Sequence, residues 1–257
     1  MTPIESLLLG IIQGITEFLP ISSSGHLLIA QEIMNINFDG NLIEVATHFG
    51  TLISVIIIFR NDIVQLLIGI QKKENIKYIN SLIIGTLPSV VFGLALKVHF
   101  SLLLENILVV SCALFFTGSF LILSNRIIHN SKKINYKIAL IIGLSQALAI
   151  IPGISRSGIT ICTALFLGID SKQAAKFSFF LAIPAIFGAG VLLFFDQRTY
   201  FQINLFSNFL LISFIASLLS GYLFLKILLK ILQKGKFHFF GYYCLLVSIF
   251  SFFIYIK

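Results

Sequence analysis

The run Gln13-Gly-Ile-Thr-Glu17-Phe-Leu-Pro20-Ile-Ser22-Ser23-Ser24-Gly25-His26 sets a carboxylate, three hydroxyls and an imidazole between two apolar stretches. On a helix Gln13 and Glu17, four residues apart, share one face, aimed at whatever the loop from Pro20 to Gly25 surrounds. His26 follows Ser23 by three residues and could reach its hydroxyl as a base, or serve a leaving group as an acid. The serines precede Leu27-Leu28-Ile29-Ala30, so the loop ends at a helix N-terminus, where free N–H groups and the positive end of the dipole attract anions. Ordinary N-capping explains any one of these serines equally well.

The run has an echo. Residues 146–158, Gln-Ala-Leu-Ala-Ile-Ile-Pro-Gly-Ile-Ser-Arg-Ser-Gly, align without gaps to residues 13–25 at an offset of 133, with Gln, Ile, Ser, Ser and Gly recurring in register. Five identities in thirteen positions, where chance supplies roughly one, mark two halves of one ancestral unit. The echo adds Arg156, and its Ser155, Ser157 and Gly158 again precede an apolar run. Two helix ends converging with a guanidinium suit a multiply charged anion such as phosphate, with Ser22, Ser24, Gly25, Ser155, Ser157 and Gly158 as its contacts.

The setting is a membrane. A chain of 257 residues with 58% hydrophobic and 11% charged residues and a mean hydropathy of +1.02 cannot hide its apolar surface in one globular core. Glu17 and Arg156 then each cost about 2.5 to 3.5 kcal/mol to insert. They are offset by each other, tying the two halves together, by a ligand that the pair positions, or by both. The net charge of +8 does not argue for nucleic acid, because the Lys and Arg residues cluster between apolar runs rather than along a helix face. Cys112, Cys162 and Cys244 are odd in number and far apart, so they imply neither disulfides nor a metal cluster. No basic segment precedes the first apolar stretch, so a cleaved signal peptide is not expected and the mature chain is expected to begin at Met1.

The expected fold is all-α and polytopic, one membrane domain over residues 1–257. Apolar runs near 43–59, 79–97, 106–124, 173–195, 205–225 and 237–256 predict six spans. Segments 4–34 and 138–168, broken by Pro, Gly and Ser, predict two re-entrant helical hairpins. Basic clusters at Arg60, Lys72, Lys73 and Lys77, at Arg126, Lys132, Lys133 and Lys137, and at Lys226, Lys230, Lys234 and Lys236 fall on one side of such a layout, joined by Lys172 and Lys176. Only Lys97, Arg198 and Lys257 fall on the other. Both termini are therefore expected outside the cytoplasm. The hairpins enter from opposite faces, which makes inverted-topology repeats of about 1–124 and 138–257 with their tips meeting near the midplane. His48 has no comparable neighbours in sequence and reads as structural; His99, His129 and His238 lie near span ends and carry no argument.

Two hydrolase patterns are excluded. Gly153-Ile-Ser155-Arg-Ser157-Gly158 lacks the second Gly of a nucleophile elbow, and no parallel sheet is plausible here. The lipid phosphatases related to vanadium enzymes need an upstream Lys and Arg-Pro, and a His where this chain has Cys162.

Three motifs in order do match one family. Glu/Gln-x-x-x-Glu stands as Gln13 to Glu17, Pro-x-Ser-Ser-x-Gly-His as Pro20 to His26, and Pro-Gly-x-Ser-Arg-Ser-x-x-Thr as Pro152 to Thr160. Over essentially its whole length the chain resembles the bacterial undecaprenyl-diphosphate phosphatases of the bacitracin-resistance type. The resemblance implies removal of one phosphate from undecaprenyl diphosphate at the outer face of the cytoplasmic membrane, renewing the lipid carrier for peptidoglycan synthesis. It implies Glu17 as the essential carboxylate, Ser23 as nucleophile, His26 as an acid or base, Arg156 as a phosphate clamp and Thr160 as a further phosphate contact. It also implies a divalent cation, Mg²⁺ or Ca²⁺, on Glu17 and Gln13, although many members carry Glu where this chain has Gln13. The partners are the polyprenyl diphosphate and the bilayer, with no nucleic acid; a homodimer is compatible, but no oligomeric state is legible. Attack by Ser23 and direct attack by water both fit these residues. The alternative reading is a polyprenyl-phosphate flippase or an anion transporter, since inverted repeats with broken helices also build alternating-access carriers.

Overall fold

Thr2 opens the first helix with a reciprocal cap. Its hydroxyl accepts from the Glu5 N–H at 3.2 Å, its own N–H donates to the Glu5 carboxylate at 2.8 Å, and Pro3 takes the first helical position. The computed structural model describes residues 2–36, 42–99, 106–124, 132–194 and 197–256. Among them are eleven helices and no strand: α1 (Pro3–Phe18), α2 (Ser23–Ile33), α3 (Leu42–Ile58), α4 (Arg60–Ile68), α5 (Lys73–His99), α6 (Ile107–Leu123), α7 (Tyr136–Leu148), α8 (Arg156–Phe166), α9 (Ser171–Phe194), α10 (Gln197–Gln233) and α11 (Phe239–Ile256).

The broken segments 4–34 and 138–168 are each a helix, a break and a second helix, α1–α2 and α7–α8. α1 stops at Phe18 because Leu19, at φ −61 and ψ 140, takes the extended backbone that the following Pro20 imposes. Ser22 and Ser155 cap the second helices, accepting from the N–H groups of Gly25 and Gly158. The sequence offset of 133 recurs in the elements: it carries the start of α1 onto that of α7, both ends of α2 onto those of α8, and the end of α6 onto that of α11.

α10 lies along both α1 and α3, α5 along α7, and α6 along α11. The α6–α11 pair is antiparallel. Ser111 and Ser248 exchange hydroxyl-to-carbonyl bonds of 2.7 and 2.8 Å, and Gly118, later in α6, meets Gly241, earlier in α11. α1 approaches α10 at Gly14, where a Cβ would fall 2.7 Å from the Ser217 carbonyl oxygen and the Gly221 nitrogen. Gly14→Val is expected to cost about 1 to 3 kcal/mol by overpacking, read as a lowered unfolding midpoint in detergent. An unchanged midpoint would mean that the two helices separate without penalty. Phe18, at the end of α1, packs edge-on against Phe179 of α9 at 5.6 Å within the largest buried cluster, which fixes the tip of the first hairpin.

Of the six expected spans, three lie in helices that among the described residues are long and apolar enough to cross a membrane, Lys73–Ala95, Asn208–Gln233 and Phe239–Ile256, and a fourth if α3 and α4 count as one bent span. α3 ends where the run at 43–59 ends, but the chain then turns through 71° into α4, which hydropathy did not anticipate. α6 has 17 residues, about 25 Å of helix against a hydrocarbon layer of about 30 Å. α9 carries Lys172, Gln173 and Lys176 in its first turns. Met1, Arg126, His129 and Lys257 lie outside the described residues, as do the side chains of Lys97, His99 and Arg198. All three cysteines are free, Cys162 and Cys244 buried and Cys112 exposed.

Candidate active site

Glu17 is 7% exposed in the last turn of α1, and four helices contribute to its surroundings. Gln13, one turn earlier, donates from Nε2 to Oε2 at 2.9 Å, and the Ser23 hydroxyl at the start of α2 donates to the same oxygen at 2.8 Å. Arg156, the first residue of α8, makes an ion pair and hydrogen bond from Nη2 to the other oxygen, Oε1. The two hairpin tips therefore meet on one carboxylate, with a guanidinium from the second half facing a hydroxyl from the first.

The fourth helix is α3, and its contribution corrects the sequence reading. His48 sets Nε2 3.5 Å from Glu17 Oε2. Its Nδ1 lies 2.6 Å from the Glu44 carbonyl oxygen, which can only accept, so Nδ1 carries a proton and Nε2 is the nitrogen that faces the site. The one signal in the sequence was the cost of an ionisable side chain inside a span. His48→Ala is expected to lower turnover about ten- to a hundredfold, at the low end of acid–base contributions because Ser23 keeps its bond to Glu17. Phosphate-release kinetics check this, and a change under twofold would return His48 to a packing role.

His26 is placed differently from expectation. It does not meet the Ser23 hydroxyl, because that hydroxyl turns back to α1 while the imidazole is held on the far side. Nδ1 donates to the Ser22 carbonyl at 2.8 Å, Nε2 lies 2.9 Å from the Tyr243 hydroxyl of α11, and the two rings stack at 5.7 Å. Tyr243, absent from the sequence argument, thus positions the imidazole.

The hydroxyls expected on phosphate are mostly engaged in building the loops. Ser22 Oγ accepts from the Gly153 N–H at 3.1 Å as well as from Gly25, so one hydroxyl links the two breaks. Ser22 holds φ +69, a costly conformation for a residue with a Cβ, and these bonds together with the one from His26 hold it there. Gly153, at φ +95, lies against α6, where a Cβ would strike Val110 and Ala113; its carbonyl accepts from Thr117 at 2.9 Å. Ser24 Oγ lies 3.4 Å from Ser22 Oγ, and Ser157 Oγ 3.4 Å from Ser155 Oγ, which caps α8 through Gly158 at 3.1 Å. Thr160 donates to the Arg156 carbonyl at 2.7 Å and lies 2.5 Å from the Ser178 hydroxyl, binding α8 to α9.

Two buried atoms at the centre have no hydrogen-bond partner among the described residues: Gln13 Oε1, an acceptor, and Arg156 Nη1, a donor. Buried polar atoms are nearly always satisfied, so the guanidinium keeps one donor with which it could bind an anionic oxygen. A hard cation would suit the amide and carboxylate oxygens. No group of three or more His, Cys, Asp or Glu among the described residues could hold a metal. A cation on Gln13 and Glu17 would leave its further positions to phosphate and water.

The family model described as "Bacitracin resistance protein BacA" matches residues 6–250. Among similar curated proteins, an undecaprenyl-diphosphatase of Halothermothrix orenii is 42% identical over 244 residues, covering 94% of this chain and 93% of the relative. One from Methanococcus maripaludis is 39% identical over 252 residues, covering 96% and 98%. One from Carboxydothermus hydrogenoformans is 38% identical over 259 residues, covering 97% and 96%.

Proposed function

The chain belongs to the bacitracin resistance protein BacA family, and from that premise we propose that it is an undecaprenyl-diphosphatase of the membrane, hydrolysing undecaprenyl diphosphate to undecaprenyl phosphate and inorganic phosphate. This activity recycles the lipid carrier for peptidoglycan synthesis and confers bacitracin resistance. The observation that carries the reading is the meeting of Glu17 and Arg156 from two different hairpins, with Ser23 on one carboxylate oxygen and a guanidinium N–H left over.

Phosphoanhydride cleavage needs charge neutralisation and in-line positioning more than elaborate covalent chemistry. Arg156 binds the terminal phosphate through Nη1. The Ser23 oxygen attacks the terminal phosphorus, its proton passes to Glu17 Oε2, and the bridging P–O bond breaks to release the lipid monophosphate. Water then cleaves the phosphoserine. With its Nδ1 proton on the Ser22 carbonyl, His26 acts as an acid only in its doubly protonated form, giving the Nε2 proton that faces Tyr243 to the leaving oxygen. His48 Nε2, 3.5 Å from Glu17 Oε2, is placed to take over the proton which that carboxylate receives from Ser23. A divalent cation held by Gln13 and Glu17 supplies further neutralisation of the diphosphate when bound.

The finer architecture belongs to the same proposal. The common offset of α1 with α7, α2 with α8 and α6 with α11, and the antiparallel course of α6 and α11, support inverted repeats built of six membrane-crossing elements and two re-entrant hairpins. The asymmetry of Lys and Arg supports termini outside the cytoplasm and a site that opens outward. Purified protein given undecaprenyl diphosphate in detergent is expected to release inorganic phosphate. Absence of release with the lipid still bound would instead favour a carrier.

A further inference from the structure

The cavity at the α3–α4 bend is the feature that this function leaves unused. It encloses about 240 Å³ and is lined by Ile57, Ile58, Arg60, Asn61, Tyr222 and Lys226. The wall holds two cations and no acid. Lys226 is held against Tyr222, with Nζ 4.1 Å from the ring centroid and donating to the hydroxyl at 2.5 Å, so its charge is pre-set rather than free to swing. Arg60 has no ion-pair partner among the described residues and is exposed.

The position matters as much as the charge. Arg60 and Lys226 belong to two of the clusters that fall on the basic side of the chain, and the 71° turn into α4 occurs at Arg60. α4 has no buried residue and exposes Val64, Leu67 and Ile68. A short helix that leaves a span at such an angle with apolar side chains exposed suits the plane of the interface, at the depth of lipid headgroups. Ile57 and Ile58, on the hydrocarbon side of Arg60, give the cavity an apolar wall.

We propose that this cavity binds the headgroup of an anionic phospholipid of the cytoplasmic leaflet, its phosphodiester between Arg60 and Lys226, with Asn61 and the Tyr222 hydroxyl as polar partners and the acyl chains along Ile57 and Ile58. The two cations supply the charge preference, the Tyr222 ring supplies the order, and the isoleucines separate a lipid from a free anion. None of its residues is bonded to Glu17, Ser23 or Arg156.

The test uses the full-length protein, delipidated in detergent and titrated with phosphatidylglycerol, phosphatidylcholine or inorganic phosphate, with retained lipid counted by native mass spectrometry. Phosphatidylglycerol is expected to be retained and phosphatidylcholine displaced. Arg60→Gln and Lys226→Gln should each weaken retention roughly fivefold and together about 25-fold, at about 1 kcal/mol per interfacial cation. Arg60→Lys should keep most of it, and phosphate release from a soluble short-chain diphosphate should stay unchanged in every variant. Equal retention of the two lipids, undiminished retention in the double variant, or displacement of phosphatidylglycerol by millimolar inorganic phosphate would overturn the proposal. A double variant with a depressed unfolding midpoint is read against Arg60→Lys, which keeps the charge: loss of retention there too would also count against it.

Discussion

Glu17→Gln is expected to lower phosphate release by about 10³-fold or more, and Arg156→Ala by a similar factor, the scale attached to a charge-neutralising arginine in phosphoryl transfer. The glutamine keeps the shape but has one oxygen, so it can accept from Ser23 or from Arg156 and not from both; the loss reports charge, proton acceptance and that missing bond. The two losses should not multiply, because the residues act as a unit: the double variant is expected to be no slower than the worse single. Stability separates this from misfolding. Each single change strands a largely buried charge, at about 3 to 5 kcal/mol, whereas the double change leaves none and should regain much of the midpoint without regaining turnover. Either single variant holding a tenth of parental activity, or losses that multiply, would remove the pair from the reaction.

Ser23→Ala should abolish nearly all turnover, at least about 10³-fold, while the dissociation constant for a fluorescent polyprenyl diphosphate moves less than about threefold. The reason lies in one bond, the Ser23 hydroxyl on Glu17 Oε2 at 2.8 Å, which pairs a nucleophile with a proton acceptor and leaves the neighbouring serines to cap helices. Acid quenching of the parent protein should trap phosphate on Ser23 by mass spectrometry. If Ser23→Ala keeps a few per cent of the rate and no phosphoserine is found, the attack passes to a water beside Glu17.

Much of this site was legible because charges inside apolar sequence are costly and therefore conspicuous. Glu17 and Arg156 stood out on that ground, and Pro20, Gly153 and the serine pairs marked both breaks, which occur where expected. His26 shows the limit of spacing as a guide. A separation of three residues puts it on the same face as Ser23, but its ring direction is set by the Ser22 carbonyl and by Tyr243, a residue of the last helix. His48 is the complementary case, one of two ionisable residues in a largely apolar helix, and nothing adjacent in sequence announces that α3 packs its face toward Glu17. The bend into α4 was hidden for a related reason, since hydropathy registers where an apolar run ends and not the direction the chain then takes.

By itself the sequence determined a helical membrane protein, a duplicated loop motif, and the chemical types at its centre: a carboxylate, a hydroxyl and a guanidinium. These follow from local composition and short-range spacing, which act within a turn or two of chain. Only the tertiary structure decided which hydroxyl meets the carboxylate, that His48 and Tyr243 complete the surroundings, and that Arg60 and Lys226 share a cavity. Side-chain direction is settled by packing between helices distant in sequence, such as α1 on α10 and α6 on α11, and no local rule encodes those contacts.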